Sequence, residues 1–242
     1  MNSAAAGIGL ASTSDTGRKD QQNNPVAPKT SASTPGTKNN LTPPEKGRIP
    51  VAFAISRGVT VIDFAGPWEV FQDVMIEGRG EGMEQMPFQL FTVSDTLDPI
   101  RGSAGLQLIP DYTFETAPAP RIVVVPAQMG SAALHQWLQK VSRATDVTMS
   151  VCTGAFQLAK AGLLSGKSAT THHDFIDRFA KQYPDIEVKR GLRFVEGENI
   201  STAGGLTSGI DLALRVVERY FGRKIAEKTA TYMEYQSKGW MV

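Results

Sequence analysis

The sequence predicts an α/β domain built on a mostly parallel, twisted sheet with helices on both faces. Three observations predict it. Short apolar runs of strand length alternate with longer segments whose apolar residues recur at helical spacing. The most strand-like run, Ile122-Val123-Val124-Val125, is continuously apolar and β-branched, as expected of a strand buried on both faces. The chain has 242 residues, enough for one such domain with a sizeable core.

The elements follow in order from Ile49, where the composition becomes globular. Val51 to Ile55 reads as a buried strand. Gly66-Pro67 is read as a helix start, because proline suits the first helical turn, and Trp68, Phe71, Val74 and Met75 mark the buried face. Phe88 to Val93 is a second strand, and Leu106 to Ile109 an alternating one on an edge. After Ile122–Val125, ended by Pro126, the stripe Leu134, Trp137, Leu138 and Val141 predicts a helix. Val147 to Val151 is a strand that turns sharply at Cys152 into a helix ending near Gly162 to Gly166. A short strand at Ser168 to Thr171 precedes a helix marked by Phe175, Ile176 and Phe179. Leu192 to Val195 and Asn199 to Thr202 predict a hairpin. A long helix carries Ile210, Leu214, Val217 and Tyr220, and a last one spans about Lys224 to Tyr235.

Residues 1–47 are rich in Ser, Thr, Asn, Ala, Gly and Pro and nearly free of large apolar side chains. Such a segment cannot bury enough surface to offset its ordering entropy, so it is expected to be a disordered tail before a single domain at 48–242. Ser3 to Ser12 resembles the weakly apolar end of an export signal without its basic region. The expected compartment is the cytoplasm, with the periplasm as the alternative if the true start codon lies upstream. A formal net charge of +1 offers no electrostatic reason to expect nucleic acid or an anionic membrane surface as partner. A single cysteine excludes an intrachain disulfide and a cysteine-based zinc site. No apolar segment approaches the length of a membrane span. Trp240 and Met241, at the end, can dock on a partner subunit or fray.

Cys152 carries the chemistry. A thiol at the first turn of a helix faces unpaired N–H groups and the positive end of the helix dipole, both of which favour thiolate, the nucleophilic form. Its rival reading is a small buried hydrophobe. Gly154 lets the chain bend tightly and a ligand approach. Asp63 also follows a strand, and loops leaving the carboxyl ends of parallel strands line one crevice, so the two can meet there. Asp63 could hold a proton or orient a substrate; it could equally cap a helix. His172 and His173 follow the short strand at 168–171, and one of them can reach the crevice, His172 the better placed. Backbone N–H groups of Thr153 and Gly154, and of Ala127 and Gln128, could stabilise developing negative charge. No cofactor or metal is expected. The first strand lacks a G-x-G-x-x-G turn, and Gly162 to Ser168 is one residue short of a phosphate loop and follows a helix.

Four blocks carry a family resemblance over about Ile49 to Tyr235: Ile62-Asp63-Phe64-Ala65-Gly66-Pro67-Trp68-Glu69-Val70-Phe71, Ser150-Val151-Cys152-Thr153-Gly154, Ala161 to His172, and Thr202 to Asp211. They resemble the isonitrile hydratase-like branch of the ThiJ/PfpI family, within the class I glutamine amidotransferase-like superfamily. The resemblance implies a flavodoxin-like sandwich. It also implies a nucleophilic Cys152 in a strained strand-to-helix turn, Asp63 as general acid and base, Thr153 as the polar residue beside the nucleophile, and a homodimer. The implied reaction is hydration of a small carbon–nitrogen electrophile, an isonitrile, to an N-substituted formamide. Where the family often has Pro-Gly-Gly, this chain has Pro126-Ala127-Gln128; the backbone donors survive that change, and the Gln128 side chain could narrow the pocket or add a polar contact. Two other functions remain open: a ligand sensor, since the same branch supplies the amino-terminal half of AraC-type regulators, and a redox-stress thiol protein.

Overall fold

The structure, a computed structural model, describes residues 41–242. The predicted tail lies outside the described residues as far as residue 40. Beyond that point Leu41 packs on the core, its N–H donating to the Arg219 carbonyl at 2.8 Å, and Arg121 reaches the Thr42 carbonyl.

The elements are β1 (Ile49–Ala54), α1 (Val61–Gln72), β2 (Phe88–Ser94), β3 (Ile100–Arg101), β4 (Gln107–Leu108), β5 (Tyr112–Thr113), β6 (Ile122–Val125), α2 (Ala132–Val141), β7 (Val147–Ser150), α3 (Gly154–Lys160), β8 (Ser168–Ala169), α4 (Ile176–Gln182), β9 (Glu187–Val188), β10 (Phe194–Val195), β11 (Ile200–Ala203), α5 (Ser208–Phe221) and α6 (Arg223–Tyr232). Seven strands form the main sheet in the order β10-β11-β7-β6-β1-β2-β5. Every neighbouring pair in it is parallel except β10 with β11.

Alternation along β1 explains the three layers. Ile49, Val51 and Phe53 point to one face, where Val70 and Phe71 of α1, Leu212 and Val216 of α5, and Ala226 of α6 cover them. Ala52 and Ala54 point to the other, against Leu134 and Leu138 of α2, Ala155 and Leu158 of α3 and Phe179 of α4. Both faces are buried, which is why Ile122–Val125 shows no polar alternation.

Two local expectations change. The first helix begins at Val61 rather than at Gly66, and Pro67 lies inside it. The groups at its start find partners elsewhere: Thr60 N–H donates to the Ala127 carbonyl (2.9 Å) and Val61 N–H to Ser103 Oγ (3.2 Å). With its end satisfied in this way, the helix extends past the proline, whose missing N–H leaves the Asp63 carbonyl without its usual intrahelical donor. The predicted strand at 106–109 shortens to β4, which pairs with β3 in a small hairpin outside the main sheet. The chain end is also decided. Trp240 is buried in the core of its own chain, its indole N–H donating to the Ser237 carbonyl (3.1 Å) and Arg223 stacked over the ring. Among the described residues no helix is long and apolar enough to cross a membrane.

Candidate active site

The strands β2 and β5 lie on one side of β1, and β6, β7 and β11 on the other, so the chain reverses direction across the sheet between β1 and β6. Loops leaving the carboxyl ends of the strands open a crevice at such a point. Asp63 follows β1, Ala127 follows β6, Cys152 follows β7 and Leu206 follows β11. All four converge there.

Cys152 adopts φ +58°, a left-handed conformation that side chains other than glycine rarely take. Tertiary bonds hold it. Its N–H donates to the Gly204 carbonyl (2.8 Å), and its carbonyl accepts from Thr171 Oγ1 (2.9 Å). Such a strained turn costs on the order of 1–3 kcal/mol and persists only where its surroundings over-determine it. Gly154 makes the turn possible: a Cβ there would lie 2.0 Å from the Val125 carbonyl oxygen. Its missing side chain therefore serves the close approach of α3 to β6, and Gly154 is buried against that strand.

Asp63 caps nothing. Its carboxyl is fully buried, and Oδ2 accepts the Ala127 N–H (3.1 Å) across the mouth of the crevice. The other oxygen, Oδ1, is buried with no well-aligned hydrogen-bond partner. The Cys152 thiol faces this carboxyl closely enough that each shifts the other. Burial raises the Asp63 pKa to about 6 against the pull of the Ala127 N–H and the thiol. Burial, and then the charge of Asp63, push the Cys152 thiol up to about 11. The backbone N–H groups of Thr153 and Leu206, near the sulfur, pull the other way. These N–H groups favour thiolate, but desolvation and a facing carboxylate outweigh them. The resting pair is a thiol beside a carboxylate.

The two residues that cradle the sulfur each line a different cavity. Leu206 (φ +50°) lines one of about 320 Å³ with Thr171, His172, Arg193 and Gly205. Thr153 lines one of about 220 Å³ with Gln128, Phe156, Gln157, Lys160 and Arg178. His172 is thus on the Leu206 side. Its ring covers Gly205, where a Cβ would lie 2.3 Å from Cδ2, and its Nδ1 accepts the Asp174 N–H (3.2 Å). It is not among the groups that shift the thiol. His173 stacks on His172 and lies largely in solvent. The donor atoms of His172, His173 and Asp174 lie within 4.8 Å of one another, an exposed cluster away from the sulfur's own contacts. Ala127 spends its N–H on Asp63 and so positions the acid. Gln128 turns its Nε2 to the Ala54 carbonyl (2.7 Å), while its own carbonyl accepts from buried Gln157 (3.0 Å), which in turn meets His135 (2.9 Å).

Sequence reasoning missed Leu206, Thr171 and Gln157. Leu206 acts through its backbone at an unusual φ, and nothing in Gly204-Gly205-Leu206 signals that its N–H meets a sulfur more than fifty residues earlier. Thr171 sits in one of the blocks quoted above, but its role is visible only once β8 is placed beside the turn.

Comparison with known proteins places the chain in a family. The chain is 34% identical over 196 residues to an isonitrile hydratase of Pseudomonas putida, covering 76% of this chain and 78% of that protein. It is 34% identical over 133 residues to the HTH-type transcriptional regulator CdhR of Pseudomonas aeruginosa, of which it spans 39%. A crystal structure of a ThiJ/PfpI family protein from Pseudomonas syringae superimposes with a TM-score of 0.69 at 26% identity, covering 86% of this chain and 83% of that one. With residues 50–219 matching the DJ-1/PfpI family, the chain belongs to that family.

Proposed function

We propose that this protein is a cysteine-dependent hydratase of a small carbon–nitrogen electrophile, with an isonitrile as the reference substrate. One observation carries the reading: a buried carboxylate, held by a backbone N–H, faces a thiol in a strained turn. The similarity to isonitrile hydratase supports it.

The pKa values assign the proton. With Asp63 near 6 and Cys152 near 11, the thiol carries the proton at neutral pH and the carboxylate accepts it as the sulfur attacks. The S–C bond forms at the terminal carbon of R–N≡C, and Asp63 returns the proton to that carbon, giving a thioimidate, R–N=CH–S–Cys. Water adds to the same carbon while the nitrogen gains a proton. The C–S bond then breaks, the hydroxyl proton returns to sulfur through Asp63, and R–NH–CHO leaves. Thr153 and Leu206 N–H groups stabilise the sulfur whenever it carries negative charge. His172 and Gln128, which line two different cavities, contact the substrate in this reading, and Gly154 keeps the turn tight.

The test is a panel of isonitriles, nitriles, amides and α-oxoaldehydes against the wild type, Cys152→Ala and Asp63→Asn. Formamide release from isonitriles that both variants abolish, with their fold retained, is the expected result. No turnover of any class by the wild type removes the reading.

A ligand-sensing role is the second reading, favoured by the 34% identity to CdhR. It predicts saturable binding of a small molecule without turnover. A redox role fits less well, since a thiol near pKa 11 offers on the order of one thiolate in 10⁴ at pH 7. We also infer a homodimer, from the resemblance alone; light scattering of the purified chain tests it.

A further inference from the structure

We propose that the cavity on the Thr153 side of Cys152 takes a carboxylate carried by the substrate, so that the electrophiles this site prefers are small, acidic and aromatic or short-chained. This rests on the nucleophilic role of Cys152 proposed above. At about 220 Å³ the cavity is below the ~300–1,000 Å³ usual for drug-sized ligands, and it suits one end of a small molecule. Thr153, the residue after Cys152, forms part of its wall, which places the cavity beside the reacting residue.

Its walls have a specific chemistry. Phe156 and Phe175 meet edge-on, with ring centroids 6.5 Å apart, and supply an apolar body. Lys160 and Arg178 bring two positive charges. Arg178 lies over the Phe156 ring at 5.7 Å. A guanidinium carries its N–H groups in the fork geometry that matches a carboxylate. The nearby acids are engaged elsewhere: Asp177 with Arg190, and Asp174 with His173. Among the described residues neither Lys160 nor Arg178 forms an ion pair. Lys160 does sit in the last turn of α3, where a cation is favourable by itself. That does not account for a second cation converging on the same space. The floor is rigid, because buried Gln157 holds the Gln128 carbonyl and is itself held by His135.

The test compares alkylation of Cys152 by 4-(bromomethyl)benzoate and by its uncharged amide. The wild type is expected to favour the benzoate. The ratio of the two rate constants should fall ~10-fold in Lys160→Gln/Arg178→Gln, and shrink between 0.05 and 0.5 M salt. Lys181→Gln, the same change of charge on α4 outside the cavity, should leave the ratio unchanged. Binding of unreactive benzoate to Cys152→Ser, followed by ligand-observed NMR, should weaken by a similar factor in the added double variant. Equal ratios in wild type and double variant, or benzoate binding that the double variant does not weaken, overturn the assignment. Neither measurement needs turnover. Charge selectivity without hydration of any isonitrile leaves the carboxylate pocket standing and ends the hydratase reading. Hydration of neutral and carboxylated isonitriles at equal kcat/KM does the reverse.

Discussion

Asp63 is held where its charge is unfavourable. Its pKa rises from 3.8 to about 6, so the folded protein binds more protons than the unfolded chain between those values. Stability therefore falls as pH rises through that window, and the full penalty, about 3 kcal/mol, is present above pH 7. Asp63→Asn should consequently raise the unfolding free energy at pH 8, read from denaturant titration, by up to roughly 2–3 kcal/mol, with little change at pH 4, while abolishing turnover. An unchanged midpoint at pH 8 would mean that the carboxylate is not desolvated. Under the proposed mechanism the same group sets the kinetic profile. Activity should rise with pH through about 6 as Asp63 becomes able to accept the thiol proton, and Asp63→Asn should remove that inflection from the alkylation rate of Cys152. The placement of both residues after strands is readable from local pattern. Their protonation is not, because desolvation depends on every element packed around them.

At the scale of elements, the turn from β7 into α3 works because α3 can approach β6 without a side chain between them. Gly154→Ala would put a Cβ 2.0 Å from the Val125 oxygen, a backbone atom that cannot move aside. The expected cost is roughly 3 kcal/mol or more, read as a lowered urea midpoint, together with loss of activity as the thiol shifts. The first helix teaches the converse. Gly66-Pro67 looks like a helix start by local rule, yet α1 begins at Val61, because the N–H groups of Thr60 and Val61 find acceptors in residues 127 and 103. That earlier start places Asp63 in the first turn rather than in a loop, and Thr60 and Asp63 both bond residue 127, which locks the carboxyl across the crevice. No periodicity in residues 60–72 could reveal a partner so far along the chain.

Across the whole molecule, the chain end supports the crevice wall. Buried Asp211 of α5 pairs with Arg193, and its Oδ1 accepts from the hydroxyls of Tyr235 and Ser237, both at 3.1 Å. Arg193 and Thr207 also line the 320 Å³ cavity beside Leu206. Trp240 closes this assembly against the core. Trp240→Ala should destabilise the fold by roughly 3–5 kcal/mol, as lost indole burial predicts. Arg193→Met alone strands a buried carboxylate and should cost about 3 kcal/mol; adding Asp211→Asn should recover most of it, a non-additivity that thermal denaturation of the three variants reads directly.

Strand and helix identity, the parallel sheet, and the presence of Cys152 and Asp63 at the same end of that sheet follow from periodicity, β-branched runs and the topology they imply. These are local properties, written in neighbouring residues. The rest required distant segments to be brought together: the Ala127 N–H on Asp63, the Leu206 N–H near the sulfur, the thiol kept protonated, and two cations lining one cavity with Phe156 and Phe175. Desolvation and Coulomb interaction act through space rather than along the chain, and only the packed molecule sets those distances.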